Sequence, residues 1–328
     1  MIGGSKLIES ISLEELEKYL GKRDTPKDFK EFWNSQIKKV GTITEYKVNK
    51  KNFDVEFVDC SDLTFKSLNG SLIYAKYLKP KTKNKVPVLF HFHGYQGRSS
   101  DWSEYFKYIL AGFAVVAMDV RGQAGQSTDY GIFSGNTVKG QLIRGMTEGK
   151  ENLFFKEIFL DVYQLIELVA NFDEIDEKNM ITLGASQGGA LAIIGGALNP
   201  KINKIISIYP FLSDFKRVLD LKLTCEPYDE LLRYFKYTDP LYRTEDSVLK
   251  ALDYIDVKNF ATFIKGDLKL ITGLRDEICA PSTQYAFYNR VKGKKEHIIL
   301  PEYGHEALNV EMNDLIMNWI TGGRIGEN

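Results

Sequence analysis

The chain has only three cysteines, Cys60, Cys225 and Cys279, odd in number and far apart, which argues against a disulfide framework and against a zinc site. Neither sign of charge is in surplus. With 43 basic and 44 acidic side chains the net charge is −1, so no nucleic acid and no anionic membrane is an expected partner. No apolar run approaches the length of a membrane span, and no signal-peptide pattern precedes the first charged helix, so the expected location is cytoplasmic. Histidine is scarce as well, at four residues, which makes each one easy to judge. What the chain does have is length and apolar content. Its 328 residues, 44% of them hydrophobic, can bury a large core; by length alone one large α/β domain is as plausible as two smaller ones, and with the motifs below a single domain over 1–328 is the expected organisation.

The most informative segment runs from Met180 to Ile194, a short apolar strand, then Gly184-Ala185-Ser186-Gln187-Gly188-Gly189, then a helix of small residues. This is the pattern of a nucleophile elbow. A strand-to-helix turn this tight needs glycine on either side of the serine so that strand and helix can approach while the hydroxyl stands clear. An ordinary glycine-rich turn would share the motif, but not the strand before it and the helix after it. Gln187, next in the chain, would turn its backbone N–H toward the reacting centre at the positive end of the new helix.

Such an elbow predicts an acid and then a histidine, each in a loop after a later strand. His91 and His93 precede the serine and are in the wrong order. As the only dense histidine pair they are also the one suggestion of a metal-dependent enzyme, and strand packing explains them better. His297 opens an apolar strand, where a structural role is expected. His305, in the loop after that strand, is the candidate base. Asp276, in Gly273-Leu-Arg-Asp-Glu and 29 residues before His305, is the candidate orienting acid. Glu277 and Asp214 are its rivals, Asp214 because the acid can also follow the preceding strand. Cys279, three residues after Asp276, is expected to be a buried thiol. Arg121, in Arg121-Gly122-Gln123, has two readings, a guanidinium tying loops to the floor of the site or a direct contact with substrate.

Around this centre the chain organises simply. Ser12-Leu-Glu-Glu is a capping box, Thr25-Pro26 predicts a helix start with proline in the first turn, and Phe29, Phe32, Trp33, Ile37 and Val40 share one helix face, so residues 1–42 read as an N-terminal helical extension. Residues 43–79 read as strands, with Asn69-Gly70 as a hairpin turn. From residue 86 onward apolar strands alternate with helices, the signature of a doubly wound, mostly parallel sheet, and with the elbow this is an α/β-hydrolase fold. Residues 127–157 and 211–265 interrupt the alternation. The second stretch, rich in aromatics from Phe211 to Tyr242, reads as a cap-like insertion whose rings either bind substrate or pack.

The segments His93-Gly94-Tyr95, Arg121-Gly122-Gln123, Gly184 to Gly189, Gly273 to Glu277 and Gly304-His305-Glu306 together resemble the motif set of the acetyl xylan esterases and cephalosporin C deacetylases, carbohydrate esterase family seven. The likeness extends to Pro26–Trp33 and to Tyr209–Val218, and so covers nearly the whole chain. It implies a serine esterase that removes acetyl groups from acetylated xylo-oligosaccharides and small acetyl esters such as cephalosporin C, without a cofactor or metal. Ser186 would attack, His305 would carry the proton, Asp276 would orient the imidazole, and the backbone N–H groups of Gln187 and Tyr95 would hold the oxyanion. The resemblance also implies a homo-oligomer, a hexamer with active sites facing an enclosed interior. Other readings remain open: a broader carboxylesterase or a peptidase of this fold, or a non-catalytic ligand-binding member.

Overall fold

Residues 58–80 mix buried and exposed side chains along each strand, as befits a sheet margin. In the computed structural model they form β2 (Val58–Lys66) and β3 (Leu72–Pro80), preceded by an exposed edge strand β1 (Tyr46–Lys51), all antiparallel. The hairpin between β2 and β3 closes where expected, with Gly70 at φ 86° and the Asn69 side chain accepting the Ser71 N–H. The structure describes residue 9, residues 11–133 and residues 140–322. Residues 1–8 and 10 of the expected N-terminal extension, 134–139 of the long connection 127–157, and 323–328 lie outside the described residues.

From Val86 the strands become more apolar: β4 (Val86–Phe92), β5 (Ala114–Met118), β6 (Ile175–Ala185), β7 (Ile202–Ile208), β8 (Asp267–Gly273) and β9 (Lys295–Leu300). Strands covered by helices on both faces must be apolar on both, and β5 is buried throughout. The nine strands make one sheet in the order β1-β2-β3-β5-β4-β6-β7-β8-β9, parallel from β5 to β9. The chain leaves β4 toward β5 and then crosses back to β6 on the other side. That reversal opens a crevice at the carboxyl ends of β4 and β6, where ligands of open α/β sheets bind.

One face of the sheet packs against helices Phe154–Ala170 and Gln187–Leu198, the other against Met312–Thr321 and the segment around Tyr105 and Tyr108. Phe29, Phe32 and Trp33 of the N-terminal helix join the first of these cores, and Trp33 Nε1–H donates to the Tyr254 carbonyl at 3.0 Å. That helix begins at Phe29 rather than at Pro26. Thr25 does not cap it because its hydroxyl is drawn to a tertiary partner, Asn259 Oδ1, at 2.9 Å. Within 211–265 lie helices Phe215–Leu221, Asp229–Tyr237 and Glu245–Leu252 and the 3₁₀ turn Val257–Phe263. Its aromatics divide: Phe211, Phe215, Tyr228 and Phe235 are buried in the main core, whereas Tyr237 and Tyr242 are exposed. Among the described residues no helix is long and apolar enough to cross a membrane.

Candidate active site

The turn between β6 and the helix Gln187–Leu198 is as tight as its glycines allow. A Cβ on Gly188 would lie 2.0 Å from the Phe92 carbonyl oxygen, and one on Gly184 would lie 2.3 Å from the Gly188 carbonyl, so neither position accepts a side chain. Between them Ser186 adopts φ 56° and ψ −119°, a conformation that costs an L-residue of order 1–3 kcal/mol. The neighbouring strand holds it there: Ser186 N–H donates to the Ile208 carbonyl at 3.0 Å, and the Ser186 carbonyl accepts from Phe211 N–H at 3.1 Å.

Gln187 is the first residue of its helix, so its N–H has no acceptor within that helix. Among the described residues neither this N–H nor that of Tyr95, beyond the end of β4, is engaged by another group. The Gln187 side chain is buried and forms a reciprocal amide pair with Gln123, at 2.7 and 3.0 Å. Gln123 in turn donates to Gln141 Oε1 at 3.1 Å, Gln141 Nε2 donates to the Gly122 carbonyl, and Gln141 N–H donates to the Tyr95 hydroxyl at 2.6 Å. Sequence reasoning left the role of Gln123 open and missed Gln141 altogether. No signal marks Gln141, because its partners are set by tertiary folding alone.

The loops after β8 and β9 are neighbours because the strands are. Asp276 Oδ2 lies 2.8 Å from His305 Nδ1. The aspartate is fully buried, and its other oxygen accepts from the N–H groups of Ile278 (2.9 Å) and Cys279 (2.7 Å). Two backbone donors fix the carboxylate before the imidazole arrives. Gln284 approaches Oδ2 at 3.4 Å, and the His305 ring rests on Tyr209 with centroids 4.5 Å apart. Cys279 is buried, and burial holds its thiol well above the ordinary range, with the neighbouring Ser186 side chain pulling the other way.

The rival acids are occupied elsewhere. Glu277 is exposed, and Asp214 accepts from the Tyr19 hydroxyl at 2.6 Å and from Lys22 N–H at 3.1 Å, tying the N-terminal segment to the body. The remaining histidines are structural. His93 Nε2 accepts from Val120 N–H at 2.9 Å, so its Nδ1–H donates to the Gly94 carbonyl. His297 contacts Thr272 at 2.8 Å, and burial pushes it and His91 down to about 4. Arg121 is buried at 1% exposure, with a bidentate bond to Asp161 at 2.6 Å per arm and a third to Ser67, so its guanidinium ties the floor of the site together out of reach of a substrate. Burial raises the Asp161 carboxyl to about 6 against the opposing pull of that guanidinium.

Glu230, from the helix Asp229–Tyr237, was not foreseen. One carboxyl oxygen accepts from Leu142 and Ile143 N–H while the other is buried without a partner among the described residues, and burial raises the group to about 8. Among the described residues only Asp276, Cys279 and His305 bring three metal-ligating atoms within 4.8 Å of one another.

A family model described as acetyl xylan esterase (AXE1) matches residues 7–322. The chain is 27% identical over 305 residues to acetyl esterase Axe7A of Xylanibacter ruminicola, a match covering 90% of this chain and 66% of that protein. It therefore spans just under two thirds of that relative's length. Acetyl xylan esterase 1 from Thermoanaerobacterium sp. JW/SL YS485 superposes with a TM-score of 0.93 at 43% identity, over 96% of this chain and 99% of its own. The acetyl xylan esterase from Paenibacillus sp. R4 superposes with a TM-score of 0.90 at 28% identity, over 96% of this chain and 100% of its own.

Proposed function

Because the chain belongs to the acetyl xylan esterase family, whose members are carboxylic ester hydrolases, we propose that it is a serine esterase removing acetyl groups from acetylated xylo-oligosaccharides and other small acetyl esters, cephalosporin C among them. The observation that carries this reading is the 2.8 Å contact between His305 Nδ1 and a buried Asp276, at the same end of the sheet as the strained Ser186.

Each group has a task that its surroundings suit. With Nδ1–H donated to Asp276, the imidazole presents Nε2 as the basic atom, and it takes the Ser186 proton as the hydroxyl oxygen attacks the acetyl carbonyl. Asp276 stabilises the imidazolium that results. The developing oxyanion is met by the N–H groups of Gln187 and Tyr95, which need no reorganisation; one such donor is typically worth about 10²–10³ in rate. The imidazolium returns its proton to the departing sugar oxygen, leaving an acetyl-enzyme, and His305 then activates the water that releases acetate. The serine-to-imidazole bond forms in the substrate complex, where such contacts tighten.

The test is acetate release from acetylated xylo-oligosaccharides, in the presence of chelator, by the native protein and by Ser186→Ala. The expected result is rapid release that the substitution lowers by about 10⁶-fold. A folded native protein releasing none, or a Ser186→Ala variant of undiminished rate, would overturn the reading. A panel of acetyl and octanoyl esters with a prolyl peptide separates the deacetylase from a broader carboxylesterase or a peptidase.

A further inference from the structure

The hydrolysis just described makes no use of Cys279, yet this thiol is fully buried and is turned into the catalytic centre. Its N–H donates to Asp276 Oδ1 at 2.7 Å. Ligand atoms of Asp276, Cys279 and His305 all lie within 4.8 Å of one another. From their usual bond lengths, sulfur, nitrogen and oxygen ligands on a tetrahedral zinc stand about 3.5 Å apart. A bound cation has to draw the three groups together by that difference.

The three groups also supply the right chemistry. A thiolate and an imidazole select zinc and related thiophilic cations over magnesium and calcium. A carboxylate with one oxygen anchored on two backbone N–H groups offers the other in a fixed place. The His305 side chain keeps 15% exposure, so a small cation can reach the centre.

We propose that Asp276, Cys279 and His305 form a binding site for a thiophilic divalent cation, zinc foremost, and that occupancy switches hydrolysis off. Binding exchanges the Cys279 S–H proton, released to solvent, for a sulfur–metal bond, with no change of oxidation state. The imidazole loses its function whichever nitrogen binds. At Nε2 the metal takes the lone pair that would accept the serine proton; at Nδ1 it breaks the bond to Asp276. The inhibitory half rests on the triad reading above, whereas the binding half does not.

The experiment adds cobalt(II), as a spectroscopic stand-in, and zinc to the whole native protein and to Cys279→Ser and Cys279→Ala. The expected results are a thiolate-to-cobalt charge-transfer band in the native protein only, one zinc bound per chain, and acetyl-ester hydrolysis inhibited competitively by zinc, restored by chelator and unaffected by magnesium. Loss of a ligand should weaken zinc binding in both variants by more than the roughly 10–100-fold lost with an outer hydrogen-bond partner of a ligand, each variant's inhibition being read against its own zinc-free rate. Absence of the band in native protein, or folded variants binding zinc as tightly as the native chain, would overturn the site. Zinc bound with the band present and hydrolysis unchanged would overturn the inhibition. A native protein that shows the band but cleaves no acetyl ester keeps the cation site and discards the esterase.

Discussion

Asp214 and Asp276 follow adjacent parallel strands, β7 and β8, and both are fully buried, yet they do different work. Asp276 receives two backbone N–H groups on one oxygen and an imidazole on the other; Asp214 receives a tyrosine hydroxyl and the backbone of Lys22, close to 200 residues earlier in the chain. The first holds the imidazole that the proposed reaction uses as its base. The second is a seam. Position after a strand made both candidates for the acid of a triad, Asp276 the preferred one, and the proposed triad takes the aspartate that meets a histidine.

Substitution of the two should break the molecule in different ways. Asp276→Asn leaves the loop in place but removes the charge that holds the imidazole tautomer, and kcat on an acetyl ester should fall by about 10⁴-fold with the thermal midpoint nearly unchanged. A loss of less than tenfold would remove Asp276 from the triad. Asp214→Ala should do the reverse. It strands the Tyr19 hydroxyl and the Lys22 N–H, destabilising the protein by about 1–3 kcal/mol in denaturant unfolding, while the kcat of the folded fraction stays near the native value. Should that variant unfold normally yet lose hydrolysis, the assignment of the two aspartates would have to be exchanged.

Glu230 sharpens the contrast as a third buried carboxyl, one whose second oxygen has no partner among the described residues. Its pKa stands at about 8 in the folded chain against an ordinary 4.5, so between these values the folded state keeps a proton that the unfolded state has released. Its contribution to stability is then full below about pH 4.5 and declines as pH rises toward 8, because the native state binds the extra proton. Glu230→Gln keeps an acceptor for Leu142 N–H and cannot ionise. The thermal midpoint of the native protein should therefore fall relative to the variant between roughly pH 5 and pH 8. Parallel curves would mean that Glu230 ionises freely where it lies.

The elbow was legible in the sequence because its demands are local: Gly184 and Gly188 stand within four residues of each other, and the approaches that require them follow from one turn. The parallel strands were legible for a similar reason, being short apolar runs between helices. Thr25 misled because a local cap signal lost to Asn259, 234 residues away in the chain. Asp276 was preferred over Asp214 from its place in the chain, but the chain of glutamines and the approach of Cys279 to His305 depend on which loops meet. No spacing in the chain encodes that.

Gln123 and Gln187 hold each other through amide dipoles alone. Two neutral amides hold the residue whose N–H is assigned to the oxyanion, in a place where a charged clamp would have served geometrically. Dissolved ions weaken attractions between exposed charges, such as that of Arg275 with Glu302, but leave a buried pair of dipoles nearly untouched, and no proton need leave or join it across the working range of a histidine base. The amide half of the proposed centre is in that sense indifferent to brine and to acidity.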